Sequence, residues 1–115
     1  MLTLAREFAA ATGGQHLGYE PFAYESLREA NRSTFGLAAI PHVDFARARM
    51  IVSFGADFLE TWGSPVEHAR GFAAARAPGA MAHVVSVEPG LSLTGANADE
   101  WGGVRPGGGM VAALG

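Results

Sequence analysis

The sequence of 115 residues contains no cysteine and no lysine. Without cysteine, the chain cannot supply a disulfide, a thiolate zinc site, iron–sulfur ligands or a cysteine nucleophile. Its 11 acidic residues outnumber its 8 arginines, so the formal charge is −3 and no basic stripe is present for binding nucleic acid. Although 49% of the residues are hydrophobic, no uninterrupted apolar run reaches the roughly 18 residues that predict a membrane span.

The two ends of the chain lead to further expectations. Met1 to Phe8 lacks the charged start and the long apolar middle of a secretion signal, which predicts no export by a leader in this chain. The closing residues, Met110 to Gly115, are typical of a helix cut partway along its length. A chain of this length is expected to form one domain, so we interpret residues 1–115 as a single, partial domain.

The stretch from Met50 to Trp62, with the sequence MIVSFGADFLETW, is the centre of the predicted fold. Met50 to Phe54 has the β-branched, apolar character of a buried strand, and Gly55 begins a turn. A helix is predicted from Pro65 to Arg76, and a second strand from His83 to Val87. Two strands joined by one helix form a parallel βαβ unit, so the fold class is α/β: a small Rossmann-like layer with flanking helices.

Other segments predict the flanking elements from their spacing and punctuation. For the helix that starts at Pro65, the sequence predicts Ser64 as the cap and an inward face of Val66, Ala69, Phe72 and Ala73. The remaining predictions are a helix at Leu2–Ala11, a strand at Gln15–Tyr19, a helix at Tyr24–Phe35, a turn to Ala48 capped by the Asp44 carboxylate, a helical turn at Thr94–Asp99 and a strand at Trp101–Val104.

Two glycine turns, Gly55-Ala56 and Pro89-Gly90, follow the predicted parallel strands and should lie at the same edge of the sheet. Backbone amides at such an edge can hold a phosphate or a nucleotide. Ordinary connections explain these turns better, because neither GxGxxG nor GxxxxGKS is present. Asp57 and Glu60 could form a carboxylate pair, but solvation or capping of nearby backbone explains them better.

The other polar side chains give no catalytic pattern. The four histidines have no ligand spacing, so no metal site is predicted. No G-x-S-x-G elbow is present, which argues against a serine hydrolase. Trp62 and Trp101 should cover a core edge or anchor an interface.

Several runs of the sequence resemble one protein family. IVSFGADFLETWGSPVEHARGFAAAR is followed by HVVSVEPGLSLTGANADEW and VRPG, and YEPFAYESLREANRSTFG and IPHVDFARAR fit the preceding segment. These runs cover nearly the whole chain and resemble the molybdopterin oxidoreductase family, within it the molybdoenzyme-like large subunit of alternative complex III. The resemblance implies a fragment, incomplete relative to the family domain, of the α/β domain that holds one pterin guanine dinucleotide in active members.

The resemblance also implies which residues would line the dinucleotide site. In active members, this site is formed by the turn after one strand, an acidic residue with a proline after the next, and an RPGT-acid motif. The matching positions are Gly55, Ala56, Glu60 and Thr61, then Glu88, Pro89, Ser92 and Thr94, then Arg105, Pro106 and Gly107.

Some matched positions depart from the family pattern. Glu88 stands in place of the usual aspartate, and Gly90 in place of the arginine that commonly follows the proline. Gly108 and Gly109 stand where the family has a threonine and an acid, so the side chains that would grip the guanine end are absent. Gly102-Gly103 replaces a bulkier pair in the strand.

This pattern implies a non-catalytic structural or interaction subunit of a larger redox or membrane-associated electron-transfer assembly, with no cofactor bound. Other protein subunits would be its partners, and they should bury the edges that so small a parallel sheet leaves uncovered. An alternative is a fragment of a molybdenum oxidoreductase that binds molybdopterin guanine dinucleotide or another nucleotide. A third is a truncated reading frame that folds only against a partner. In each case the resemblance implies that the chain alone performs no molybdenum redox chemistry.

Overall fold

The computed structural model describes residues 2–17, 21 and 24–115. Its helices and strands alternate along the second half of the chain. The elements are α1 (Leu2–Thr12), α2 (Glu25–Phe35), a 3₁₀ turn (Phe45–Arg47), β1 (Met50–Phe54), α3 (Pro65–Ala75), β2 (His83–Glu88), α4 (Leu93–Ala96), β3 (Glu100–Gly103) and α5 (Gly109–Leu114). They form two compact units, residues 1–41 and residues 42–115; the interpretation as one partial domain stays a prediction.

The first unit contains the two predicted helices, α1 and α2. Gly36 ends α2 in the left-handed region, at φ 73°, and its amide donates to the Arg32 carbonyl oxygen. Asn31 Nδ2 donates to the Ala39 carbonyl oxygen at 2.7 Å and so holds the following loop against α2. The predicted strand Gln15–Tyr19 is wrong for residues 15–17, which have no strand structure; its last two residues lie outside the described residues.

The second unit is built on a three-stranded sheet in the order β1-β2-β3, with both pairs parallel. Met50 pairs with His83 and Phe54 with Val87, so β1 and β2 end together. This confirms the α/β fold class with its parallel βαβ layer and flanking helices. The predicted third strand is also present, shifted by one residue to Glu100–Gly103.

A small aromatic core covers one face of this sheet. Its buried members are Phe45, Ile51, Phe58 and Val84. The Phe45 and Phe58 rings stack with their centroids 4.5 Å apart. Phe58 belongs to the loop after β1, so this loop is part of the core.

Helix α3 presents a different face from the one that the sequence predicted. Val66 is 75% exposed, whereas His68 and Ala75 are buried. The inward face therefore follows positions 68, 71, 72 and 75, and of the predicted set only Phe72 packs against the core. Gly71 allows the close approach of α3 to the 3₁₀ turn, because a Cβ there would lie 3.3 Å from Phe45 Cβ.

Two predicted helix caps are also wrong. Pro65 does open α3, but neither Ser64 nor Asp44 makes a side-chain capping hydrogen bond. At α3, Ser64 contributes only its carbonyl oxygen, which accepts the first helical hydrogen bond from the His68 amide at 2.9 Å.

An ion-pair cluster lies at the amino-terminal end of the strands. Asp99 Oδ2 accepts from Arg76 Nη1 and, at 2.8 Å, from the Val84 amide. His83 Nε2 lies 2.8 Å from Glu100 Oε1. The Arg76 guanidinium, followed by the Val84 amide, lowers the pKa of the Asp99 carboxyl from 3.8 to about 2. The cluster connects the end of α3 to the segment between α4 and β3.

This pKa shift predicts an acid-dependent loss of stability. Because the folded-state pKa of Asp99 lies below its unfolded value, the contribution is complete above about pH 3.8 and is lost as pH falls through about 2. We expect the denaturation midpoint of the wild type to fall over this window, and Asp99→Asn to remove that part of the decline. Parallel profiles for the two proteins between pH 5 and pH 2 would contradict the assignment.

Candidate functional site

The candidate site lies at the carboxyl ends of β1 and β2, where the loops that follow these strands meet. Gly55 starts the first loop at φ +69°, a conformation that favours glycine. Its amide donates to the Val87 carbonyl oxygen at 2.9 Å. Ser53 Oγ donates to the Ala56 carbonyl oxygen at 2.8 Å. Hydrogen bonds therefore hold the glycine turn to β2 through Gly55 and to β1 through Ser53.

Asp57 organises the rest of this loop. Its carbonyl oxygen accepts from the amides of Thr61, at 2.9 Å, and Trp62, at 2.8 Å. Its Oδ2 accepts from Thr61 Oγ1 at 3.3 Å. The other carboxylate oxygen, Oδ1, accepts from the Thr94 amide at 3.1 Å and from Thr94 Oγ1 at 2.8 Å. Asp57 therefore joins the loop after β1 to the helix after β2.

Thr94 completes this connection from the other side. Its side chain is fully buried, with 0% exposure. While Oγ1 donates to Asp57, it also accepts from the Leu59 amide at 3.1 Å. We call this arrangement of Asp57, Leu59 and Thr94 the inter-loop link.

Thr94→Val is expected to destabilise the second unit by about 1–3 kcal/mol, because it removes the hydroxyl without changing the shape of the side chain and leaves the part-buried Leu59 amide without an acceptor. Thr61→Val is the matched control. Thr61 is exposed and, among the described residues, its hydroxyl bonds only to Asp57, at 3.3 Å, so we expect a change within about 0.5 kcal/mol. Urea denaturation of both variants measures the difference; equal effects would contradict the inter-loop link.

Glu88 occupies the end of β2 and is 3% exposed. Its Oε1 accepts from the Ser92 amide at 2.9 Å and from Trp101 Nε1 at 3.0 Å. Ser92 Oγ in turn accepts from the Gly95 amide at 3.1 Å and caps α4. A Cβ at Gly95 would overlap Glu88 Oε1 and lie 2.8 Å from Trp101 Cδ1. Glycine at position 95 is therefore what allows the carboxylate to lie between α4 and the indole ring.

The third matched segment leaves the sheet beside Glu88, because the Val104 amide donates to the Glu88 carbonyl oxygen at 3.1 Å. Arg105 is exposed. Its carbonyl oxygen accepts from the Gly108 amide at 2.8 Å, and Gly107 adopts φ +82° within this turn.

The structure brings some of the predicted site residues together and separates others. Thr61 and Thr94 meet through Asp57, and Glu88 and Ser92 share a hydrogen bond. Other predicted positions are exposed around these contacts, namely Gly55, Glu60, Pro89, Arg105, Pro106 and Gly107, while Ala56 is half-buried. Whether any of them contacts a ligand stays a prediction.

Sequence reasoning did not place Asp57 and His68 in these roles. The sequence favours solvation of Asp57 or capping of nearby backbone, whereas its side chain accepts from the amide of Thr94, 37 positions away. His68 lies beneath the first loop, where Nδ1 is 3.3 Å from the Phe58 carbonyl oxygen, and its ring stacks on Trp62 with centroids 5.5 Å apart. The i, i+3, i+4 spacing of His68, Gly71 and Phe72 was the signal that could have identified this buried face.

The side-chain acceptors of the described residues at this edge, on Asp57, Glu88 and Thr94, bind donors of the chain itself. Within them, no group of three or more histidine, aspartate or glutamate side chains is arranged to hold a metal ion. The same part of the chain has no helix with the length and apolarity required to cross a membrane.

The chain is similar in part to a known protein. The chain is 34% identical over 74 residues to the menaquinone reductase, molybdopterin-binding-like subunit of Nitratidesulfovibrio vulgaris. The match includes 63% of this chain and 11% of the relative. It supports a molybdopterin-oxidoreductase-like relationship. The chain spans about a tenth of the length of that relative, and no protein-family model matches it.

Proposed function

We propose that this chain is a non-catalytic structural or interaction subunit of a larger redox or membrane-associated electron-transfer assembly, similar in part to the molybdoenzyme-like large subunit of alternative complex III. The similarity to a subunit of a menaquinone reductase supports a molybdoenzyme-related subunit with protein partners. The observation that carries the non-catalytic part is the use of Glu88 and Thr94 as internal acceptors at the ends of the strands.

The chemistry of these two side chains does not fit a pterin dinucleotide. A guanine ring or a ribose needs exposed acceptors and donors at the matched positions, whereas Glu88 is 3% exposed and Thr94 is 0% exposed. Releasing them to a ligand would break the bonds to Ser92, Trp101, Asp57 and Leu59, each part of the packing at this edge. The internal use of these groups supports the part of the proposal in which this edge holds no pterin.

The test measures the cofactor content of the chain and identifies the subunits that co-purify with it. Purified from its source, the chain should co-purify in fixed proportion with cytochrome, iron–sulfur or membrane-anchor subunits. Isolated from those partners, it should contain far less than one equivalent of pterin, molybdenum or tungsten. Stoichiometric pterin on the isolated chain would contradict the proposal, and so would recovery of the chain alone from gently solubilised membranes and soluble extract.

A second candidate function, binding of a pterin guanine dinucleotide or another nucleotide, is favoured by the exposed rim of the same edge. Arg105 is exposed, and a Cβ at Gly55, Gly90 or Gly107 would meet no atom within 4 Å. Such a rim can admit a phosphate without any change in Glu88 or Thr94. Guanine nucleotides should then raise the melting temperature of the wild type, and Arg105→Ala should abolish the shift. No shift at millimolar nucleotide would exclude this candidate.

A further inference from the structure

Within the described residues of the second unit, the outer edge of β1 is open to another strand. The Arg49 carbonyl oxygen and the Gly55 amide both bond toward β2, so the alternation of a strand directs the backbone groups of Met50, Val52 and Phe54 away from β2. Among the described residues, no strand pairs with β1 on that side. A cavity of about 190 Å³ follows the strand there, lined by Ile51 to Phe54 and by apolar neighbours that include Phe58.

The two edges of the sheet differ in how well they are protected. Natural proteins keep edge strands from pairing by making them short, charged or interrupted. At the β3 edge, the strand is four residues long and contains Glu100, Gly102 and Gly103. At the β1 edge, five residues, MIVSF, carry no charge, glycine or proline. Met50 is 60% exposed, Val52 46% and Phe54 43%. Only the β1 edge has the features of an interface.

We propose that β1 pairs antiparallel with β1 of a second copy of this chain, about a two-fold axis at Val52. In this register, Val52 faces Val52 of the second copy, and Met50 faces Phe54. These are the positions whose backbone groups point outward, so each facing pair can exchange two hydrogen bonds. All of the cross-strand contacts on the exposed face are apolar. The proposal concerns self-association and does not rest on the proposed function.

Charge at the ends of the strand favours the antiparallel arrangement with a second copy. The exposed Asp44, Arg47 and Arg49 precede β1 and give that end a net charge of +1 (two arginines less one aspartate). Asp57, which is bonded to Thr61 and Thr94, and the exposed Glu60 follow β1 with a net charge of −2. Pairing about Val52 brings the basic end of one copy to the acidic end of the other. A parallel arrangement of two copies would place like charges side by side, which is unfavourable.

The area that this dimer contact buries determines how tightly two copies are expected to associate. A stable interface buries about 800 Å² on each partner, more than three half-exposed side chains provide. Helix α5 contacts β1 and β2, and its Met110, Val111 and Leu114 are 72%, 69% and 82% exposed. These side chains have to contribute apolar area, so we expect a dissociation constant in the micromolar range, rather than an obligate dimer.

The test uses charges at the two-fold axis. Sedimentation of the wild type from micromolar to near-millimolar concentration should show a monomer–dimer equilibrium. Val52→Lys and Val52→Glu should each be monomeric, since like charges then face each other across the axis. An equimolar mixture of the two variants should recover a dimer. Val66→Lys, at a 75% exposed position on α3, is the matched control and should associate as the wild type does.

Circular dichroism and thermal unfolding establish that both Val52 variants are folded. If either is unfolded, a mixture of Met50→Lys and Phe54→Glu tests the same pairing, because these positions also face each other. A wild type that stays monomeric at the highest concentration would overturn the proposal. Dimers of Val52→Lys as strong as those of the wild type, or assemblies larger than a dimer, would overturn it as well.

Discussion

Gly95→Ala is expected to destabilise the second unit by about 2–4 kcal/mol, through overpacking and through loss of the hydrogen bonds to a buried carboxylate. The added Cβ would overlap Glu88 Oε1 and press on Trp101 Cδ1 at 2.8 Å. Glu88 has little room to move, because it is 3% exposed and bonded to Ser92 and Trp101. Equilibrium urea unfolding followed by tryptophan fluorescence measures the change in the free energy of unfolding.

Gly90→Ala is the matched control for this result. Gly90 lies in the loop after the same strand, and a Cβ there would meet no atom within 4 Å. We expect its free energy of unfolding to stay within about 0.5 kcal/mol of the wild type. If Gly95→Ala were equally harmless, the Glu88 carboxylate would not be fixed between α4 and Trp101, and it would be free to bind a ligand.

Phe58→Ala should have the largest effect of all, about 3–5 kcal/mol, because it empties the centre of the only aromatic core that the described residues of the second unit contain. Phe58 is 2% exposed, and its ring lies 4.5 Å from that of Phe45 and 5.9 Å from that of Phe72, centroid to centroid. The same urea titration measures it, provided that the variant keeps enough folded baseline for a two-state fit.

Leu91→Ala serves as the comparison, because Leu91 is also a large apolar residue in a loop at the carboxyl end of a strand but is 66% exposed. We expect it to change the free energy of unfolding by less than about 0.5 kcal/mol. Similar losses for the two variants would mean that the loop after β1 does not contribute to the core.

The local parts of the fold could be predicted from the sequence, because their signals are local. Met50–Phe54 was predicted with its observed bounds, and Pro65 with its place at the start of α3. A short apolar run that ends at a glycine predicts a strand, and a proline at the first position predicts the start of a helix. The parallel pairing followed from the order of strand, helix and strand.

The direction of the side chains on α3 could not be predicted in the same way. Alanine-rich helices present several faces of similar hydrophobicity, and here aromatic contacts decided between them. His68 packs edge-on against Phe45, with ring centroids 5.2 Å apart, and this selects a face that includes a histidine and a glycine. Val66, a large apolar residue of the predicted face, is left exposed.

The meeting of the loops after β1 and β2 at one edge of the sheet could be predicted, but the roles of their side chains could not. A carboxylate two residues after a glycine turn looks solvated when only its neighbours in the sequence are considered. Its partner at Thr94 becomes visible only when β1 and β2 lie side by side. The same holds for Glu88, whose second donor comes from Trp101 on β3.

The inter-loop link has a consequence for the order in which the unit opens and closes. The amides of Leu59 and Thr94 belong to segments outside the strands, where backbone protons ordinarily exchange quickly with solvent. Each is bonded to a side chain on the other segment, 35 and 37 positions away in the chain. These contacts close only after β1 and β2 have paired, and their long sequence separation makes them late events in folding. The amides of Leu59 and Thr94 should therefore exchange more slowly than other loop amides, but be released before the amides of β1 and β2.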